Sequence, residues 1–239
     1  MSTWTTRVGN ALRPALIDKV ERDHRQSNSQ FLRRRIVVAI TLVIGATLLG
    51  VSLNVEPTSS WFYPLTIALA ATWVIGGFAS GPLHLGRVNF RGELRRPIII
   101  PILLGLTVAA VFIIGAVIVR NIEPLRDSTE NILAFARYGS LPIVAFVTLI
   151  NGIAEEIFFR GALFAAIGIW HPVAISTVIY ALTTVATGNF MLVFSAALLG
   201  LLLGLQRRAS GGILGPILTH CTWSMTMLFV LPAVFTAAG

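Results

Sequence analysis

Three ionisable side chains fall inside one apolar stretch: Glu155, Glu156 and Arg160, in the run Asn151-Gly-Ile-Ala-Glu155-Glu156-Ile-Phe-Phe-Arg160. An ionisable group at mid-bilayer costs about 2.5–3.5 kcal/mol on insertion scales, so such residues mark functional sites by default. A spacing of four puts Glu156 and Arg160 on one helical face, a turn apart. Pairing there neutralises both, and a structural clamp between helices is the simplest role for them. Glu155 lies about 100° further round the helix, away from Arg160. A second carboxylate in lipid needs an aqueous cavity or a partner from another helix, and His220 is the favoured partner. His220 stands in Gly215-Pro-Ile-Leu-Thr-His220-Cys-Thr-Trp-Ser224, near the start of the last apolar run, with Ser224 one turn further on. A lone helical histidine is more often a packing residue, but the stranded carboxylate gives this one a site role. A Glu–His pair suits general acid/base chemistry, the carboxylate taking a proton from water while the imidazole donates or steers.

The elements that position these residues follow from composition. Of 239 residues, 55% are hydrophobic and 12% charged, with a mean hydropathy of +0.82. A soluble domain carries about 25% charged residues, so a soluble enzyme is disfavoured, and disorder is excluded. The single cysteine, Cys221, excludes a disulfide-stapled scaffold. A spanning helix needs about 20 mostly apolar residues. Runs of that kind cover 36–55, 61–79, 97–119, 141 onward (continuing to about 169 as a long or bent helix), 172–187, 190–205 and 213–233. The expected fold is therefore an all-α polytopic bundle of about seven transmembrane helices, with a cytoplasmic basic tail at 1–35, three helices and their loops at 36–140, and a core at 141–239.

The net charge of +8 raises nucleic acid as a partner, but the placement of the arginines removes it. Basic residues crowd the first 35 positions, the 80–96 loop (Arg87, Arg91, Arg95, Arg96) and Arg207–Arg208. Threading seven spans puts all of these on one side. The opposite side holds Arg120, Arg126 and Arg137, balanced by Glu123, Asp127 and Glu130. The positive-inside rule then predicts a cytoplasmic N-terminus and an extracytoplasmic C-terminus in a plasma (inner) membrane. No cleavable signal peptide is expected, since polar residues precede the first apolar run. In the tail, Val8, Leu12, Leu16 and Val20 recur at helical spacing. That pattern reads as a solvated or surface-lying helix, with a docking arm for a partner protein as the alternative.

The order Glu155-Glu156-x-x-x-Arg160, a polar helix, then Gly-Pro-Ile-x-x-His220 resembles the CPBP family of intramembrane proteases. That family comprises the CAAX prenyl-protein proteases and bacteriocin-processing and immunity relatives. The resemblance covers about residues 141–230 and implies a CAAX-protease-like core in the last four spans. It implies Glu155 as the water-activating base, Glu156 and Arg160 as the structural pair, and His220 as the last histidine. Two positions depart from the pattern. The aromatic-x-x-x-His segment reads Tyr180-Ala-Leu-Thr-Thr184, and Ser224 stands where asparagine is usual. Thr184 is neither a base at neutral pH nor a good metal ligand. His171, 13 positions away and so roughly 20 Å along a helix, and His84, in a loop, are poor substitutes. One remaining histidine also makes zinc of conventional ligand count an unexpected cofactor, and none is expected.

Two functions follow as expectations. The favoured one is a non-proteolytic scaffold or accessory subunit of a membrane or envelope complex such as a transporter, with the lipid bilayer and another membrane-protein complex as partners. The alternative is an active intramembrane endopeptidase, with Glu155, His220 and Ser224 as its catalytic set and a membrane-embedded or prenylated peptide as substrate.

Overall fold

The computed structural model describes residues 9, 12–21, 25–90 and 92–236. Val8 and Arg91, used above for the tail helix and for orientation, lie outside them. Among the described residues, six helices are long and apolar enough to cross a membrane, and the chain is a multi-pass membrane protein. The first, α1 (Asn28–Leu53), opens with Ser27 and Gln30 capping each other's backbone N–H groups. It packs against α2 (Phe62–Ser80) through small residues, as helices must where lipid supplies no hydrophobic drive. A Cβ on Gly45 would sit 2.0 Å from the Trp73 ring, so the absence of a side chain there is what admits the indole. After α2 comes a short antiparallel hairpin, β1 (Val88–Phe90) and β2 (Glu93–Arg95). Then α3 (Ile99–Val119) crosses with a narrow buried stripe, Pro101, Gly105, Ala109 and Ala116, and leaves the rest of its surface half-buried or exposed.

Helix α4 (Glu123–Tyr138) is different in kind. It has Pro124 in its first turn and turns Thr129, Leu133 and Phe135 inward while its charged residues face out. Its mean apolarity is too low for a span, so composition predicts no spanning helix here. Only the helical repeat of Leu125, Thr129 and Leu133 signals the helix. Helix α5 (Leu141–Ile167) is the long, irregular span. It is α-helical from Leu141 to Glu155, a π-helix from Glu156 to Leu163, and α-helical again over Phe164–Ile167.

Helix α6 (Pro172–Val185) has 14 residues, about 21 Å at 1.5 Å per residue. That is shorter than the hydrocarbon core of about 30 Å, so of the seven expected spans this one is short. A turn through Gly188 (φ +67°) and the capping Asn189 leads to α7 (Phe190–Ser210), and α8 (Leu214–Thr236) follows. The core gathers around Trp73, Phe158, Phe159, Leu163 and Tyr180, with Trp73 stacked on Phe158 at 4.5 Å.

The connections sort to two ends. At one, the Arg34 guanidinium donates to Pro82 O and Ser80 Oγ, the Arg87 N–H to Ser210 O, and the Ile213 N–H to His84 O. At the other, Ser128 meets Asn189, the Arg120 guanidinium donates to Val234 O, and the Ser140 N–H donates to Tyr63 Oη. The tail lies on the first end. Ala15 is buried, and the Val20 N–H donates to Ala209 O. The described part of the tail therefore packs on its own chain.

Candidate active site

The site is assembled where α5 changes its winding. A π-helix hydrogen-bonds i to i+5 and is usually confined to short insertions at functional sites, where it re-aims side chains. Here it begins at the carboxylate pair: Glu155 ends the α-helical part and Glu156 opens the π segment. Adjacent residues thus address different neighbours.

Glu156 is fully buried, and its Oε1 accepts from the Arg160 guanidinium at 2.9 Å and lies 2.9 Å from His220 Nδ1. The i,i+4 pair of the sequence reading is present. Its lone cation and lone anion are both dry, at 1% and 0% exposure, which only mutual pairing makes tolerable. Arg160 also lies over the Tyr180 ring, 4.6 Å from its centroid, and the Arg207 Nε–H donates to the Arg160 carbonyl at 2.6 Å.

Glu155 is half-buried, and its Oε2 accepts from the Tyr180 hydroxyl at 2.5 Å, the length of a strong charge-assisted O–H···O⁻ bond. This corrects the expectation that His220 partners Glu155. His220 on α8 goes to Glu156, and Glu155 faces α6, where Tyr180 waits. The reason is rotational: consecutive positions on a helix diverge by about 100°, so the carboxylate that bonds the imidazole and the one that faces α6 are different ones. In the sequence, Tyr180 stands only as the aromatic of a motif. Its one signal was the hydroxyl that a phenylalanine lacks.

Thr184, one turn on, is buried, and its Oγ1 donates to Tyr180 O at 2.9 Å. Its hydroxyl closes on its own helix and not on Glu155. His171 is exposed at the start of α6, in a left-handed backbone conformation (φ 40°) against Trp170. His84 lies in the loop before β1, where burial and the nearby Arg207 and Arg34 charges hold its pKa below the usual value. Ser224 is half-buried and donates to Cys221 O at 3.3 Å. Beside His220, Thr219 accepts from the Gln206 amide and donates to Pro101 O, tying α7, α8 and α3 together. Among the described residues, no three His, Cys, Asp or Glu side chains gather as a metal site would require.

Ser224 and Trp223 also line an apolar cavity of about 460 Å³, closed on one side by Leu133 and Phe135 of α4 and on others by Phe112 and Phe194. The cavity sits one helical turn from His220 and is not lined by Glu155 or Glu156. The polar cluster and the apolar chamber are neighbours, joined along α8.

A comparison with known families adds one finding. Residues 137–226 match the Rce1-like family, described as type II CAAX prenyl endopeptidase Rce1-like. No curated protein and no solved structure gives a significant match. The matched stretch holds Glu155, Glu156, Arg160, Tyr180, Thr184, His220 and Ser224. From the end of α4 through most of α8, this membrane protein is thus similar to the Rce1-like family, a type of CPBP domain.

Proposed function

We propose that the protein is a non-proteolytic member of this family, serving as a scaffold or accessory subunit of a membrane complex such as a transporter. The observation that carries the reading is the Tyr180–Glu155 hydrogen bond at 2.5 Å. A general base must have its proton acceptor within hydrogen-bond reach of the water it activates. Here a phenol holds one carboxylate oxygen of Glu155, the nearby threonine hydroxyl closes on its own backbone, and the imidazole is bound to Glu156. Removing a general acid/base partner lowers a rate by about 10²–10⁴-fold. Ser224, with its hydroxyl on Cys221 O, is also a shorter donor for an oxyanion than asparagine.

The arginine-rich end is assigned to the cytoplasm of a plasma (inner) membrane on the positive-inside rule. On the same reading, residues 1–35 are a cytoplasmic tail, 36–140 an N-terminal unit and 141–239 the protease-like core. No metal or organic cofactor takes part.

The test is complementation of a deletion strain by Glu155→Ala at matched expression, alongside an assay of the purified wild type on prenylated and membrane-embedded peptides. The expected result is retained function and no cleavage above background. Loss of function in Glu155→Ala together with cleavage by the wild type would establish the endopeptidase instead.

A further inference from the structure

A second cavity, of about 500 Å³, opens at the arginine-rich end between the β1–β2 hairpin and the turn joining α7 to α8. Its walls include Arg87, Arg96, Leu94, Glu21 and Ser210. The scaffold that carries the two arginines is fixed. The Arg87 N–H donates to Ser210 O at 2.9 Å and the Leu214 N–H to Leu85 O at 3.1 Å. Gly86, at φ +83°, lies against Gly212 so closely that a Cβ on Gly212 would fall 2.0 Å from Gly86 N. The Arg96 guanidinium is anchored by one bond to Gly86 O at 2.7 Å, and its other N–H donors have no partner among the described residues. The Arg87 side chain likewise has none there. Two guanidiniums against the single Glu21 carboxylate leave the chamber positive, and the Arg34 and Arg207 charges behind His84 add to that field.

Apolar side chains adjoin the chamber and are left uncovered. Of its lining residues, Leu94 is 53% exposed and Leu85 49%, and two residues beyond Arg96 in sequence Ile98 is 50% exposed, with Ile99 at the start of α3 at 72%. A pocket for a soluble anion has no use for such a border. A site at the junction of headgroup and hydrocarbon has both parts, charge for the phosphate and apolar surface for the first methylenes of the chains.

We propose that this chamber binds the headgroup of an anionic phospholipid. Arg87 and Arg96 donate to its phosphodiester oxygens, Glu21 at the rim accepts from a headgroup hydroxyl, and Leu85, Leu94 and Ile98 lie along the chains. Arginine suits this task, because its planar fork matches the oxygens of a phosphate, and clusters of basic residues beside spans attract anionic lipids.

The experiment uses the full chain in detergent, titrated with phosphatidylglycerol or phosphatidylcholine and followed by native mass spectrometry of bound lipid. The wild type should bind phosphatidylglycerol more tightly than phosphatidylcholine. The double variant Arg87→Gln, Arg96→Gln should bind it about tenfold more weakly. Arg95→Gln, whose arginine pairs with Glu93 and does not line the chamber, should bind like the wild type. If the double variant does not accumulate, Arg87→Gln alone serves, since it removes a side chain with no partner among the described residues to lose. Three outcomes overturn the site: unchanged affinity in the arginine variants, an equal loss in Arg95→Gln, or equal competition by glycerol phosphate, which would make it a site for soluble anions.

Discussion

Two buried arginines, one at the heart of the bundle and one at its end, are stabilised in opposite ways. Arg160 is 1% exposed and meets the carboxylate of Glu156, with the Tyr180 ring as a further face. Arg34 is fully buried as well, yet its three bonds go to neutral oxygens: Gln26 Oε1, Ser80 Oγ and Pro82 O. The difference follows depth along the helices. Arg160 lies within the longest apolar span, where a lone charge has only lipid and protein around it. Arg34 lies at the polar end, near loops whose carbonyls can solvate a guanidinium. A charge in the middle needs an opposite charge, whereas one at the end needs only well-placed dipoles.

The strongest way to break this comparison is to remove both cations in turn. Arg160→Met leaves Glu156 buried with only His220 and is expected to cost about 3–5 kcal/mol. Arg34→Met leaves three neutral acceptors close to water and is expected to cost about 1–2 kcal/mol. Denaturant unfolding in detergent micelles measures both, and equal losses would mean that depth does not set the mode of compensation.

The two carboxylates sharpen the same point on a smaller scale. Tyr180→Phe removes the donor to Glu155 and should cost about 1.5–3 kcal/mol, the range for a hydrogen bond to a charged group. Glu155→Gln keeps an acceptor for the phenol and should cost less than Tyr180→Phe, and less than Glu156→Gln. A melting temperature for Glu155→Gln below that of Glu156→Gln would reverse the assignment of structural and site roles.

The smallest effect belongs to His84 at the arginine-rich end. Its pKa is lowered in the fold by burial, Arg207 and Arg34, so the folded state binds a proton less readily than the unfolded chain. Stability tied to neutral His84 is therefore present above the unfolded pKa of about 6.5 and is lost as pH falls below it. Melting curves between neutral and mildly acidic pH should show a steeper acid loss for the wild type than for His84→Gln. Parallel curves would remove His84 from the account.

Much of this architecture was legible from the sequence, and the legible parts share a cause. Apolar runs become spans because lipid demands internally satisfied backbone, which needs only the local sequence. The Glu156–Arg160 pair is also local, since four residues along a helix return to the same face. Helix α4 and the β1–β2 hairpin were missed because neither is apolar enough to stand out; α4 is held by neighbours far away in sequence, while the hairpin's strands are only three residues each. The same holds for the site's decisive contacts. Sequence identified Glu155, Glu156 and His220 as residues that must find partners in an apolar setting, and it marked Thr184 as the departure from a protease pattern. Which carboxylate met which partner was fixed by the π segment opening at Glu156 and by the positions of α6 and α8 around it. Tyr180 is 25 residues from Glu155 and His220 is 64 from Glu156. Over such separations, no periodicity links the residues, and only the packing of whole helices sets the angle at which their side chains meet.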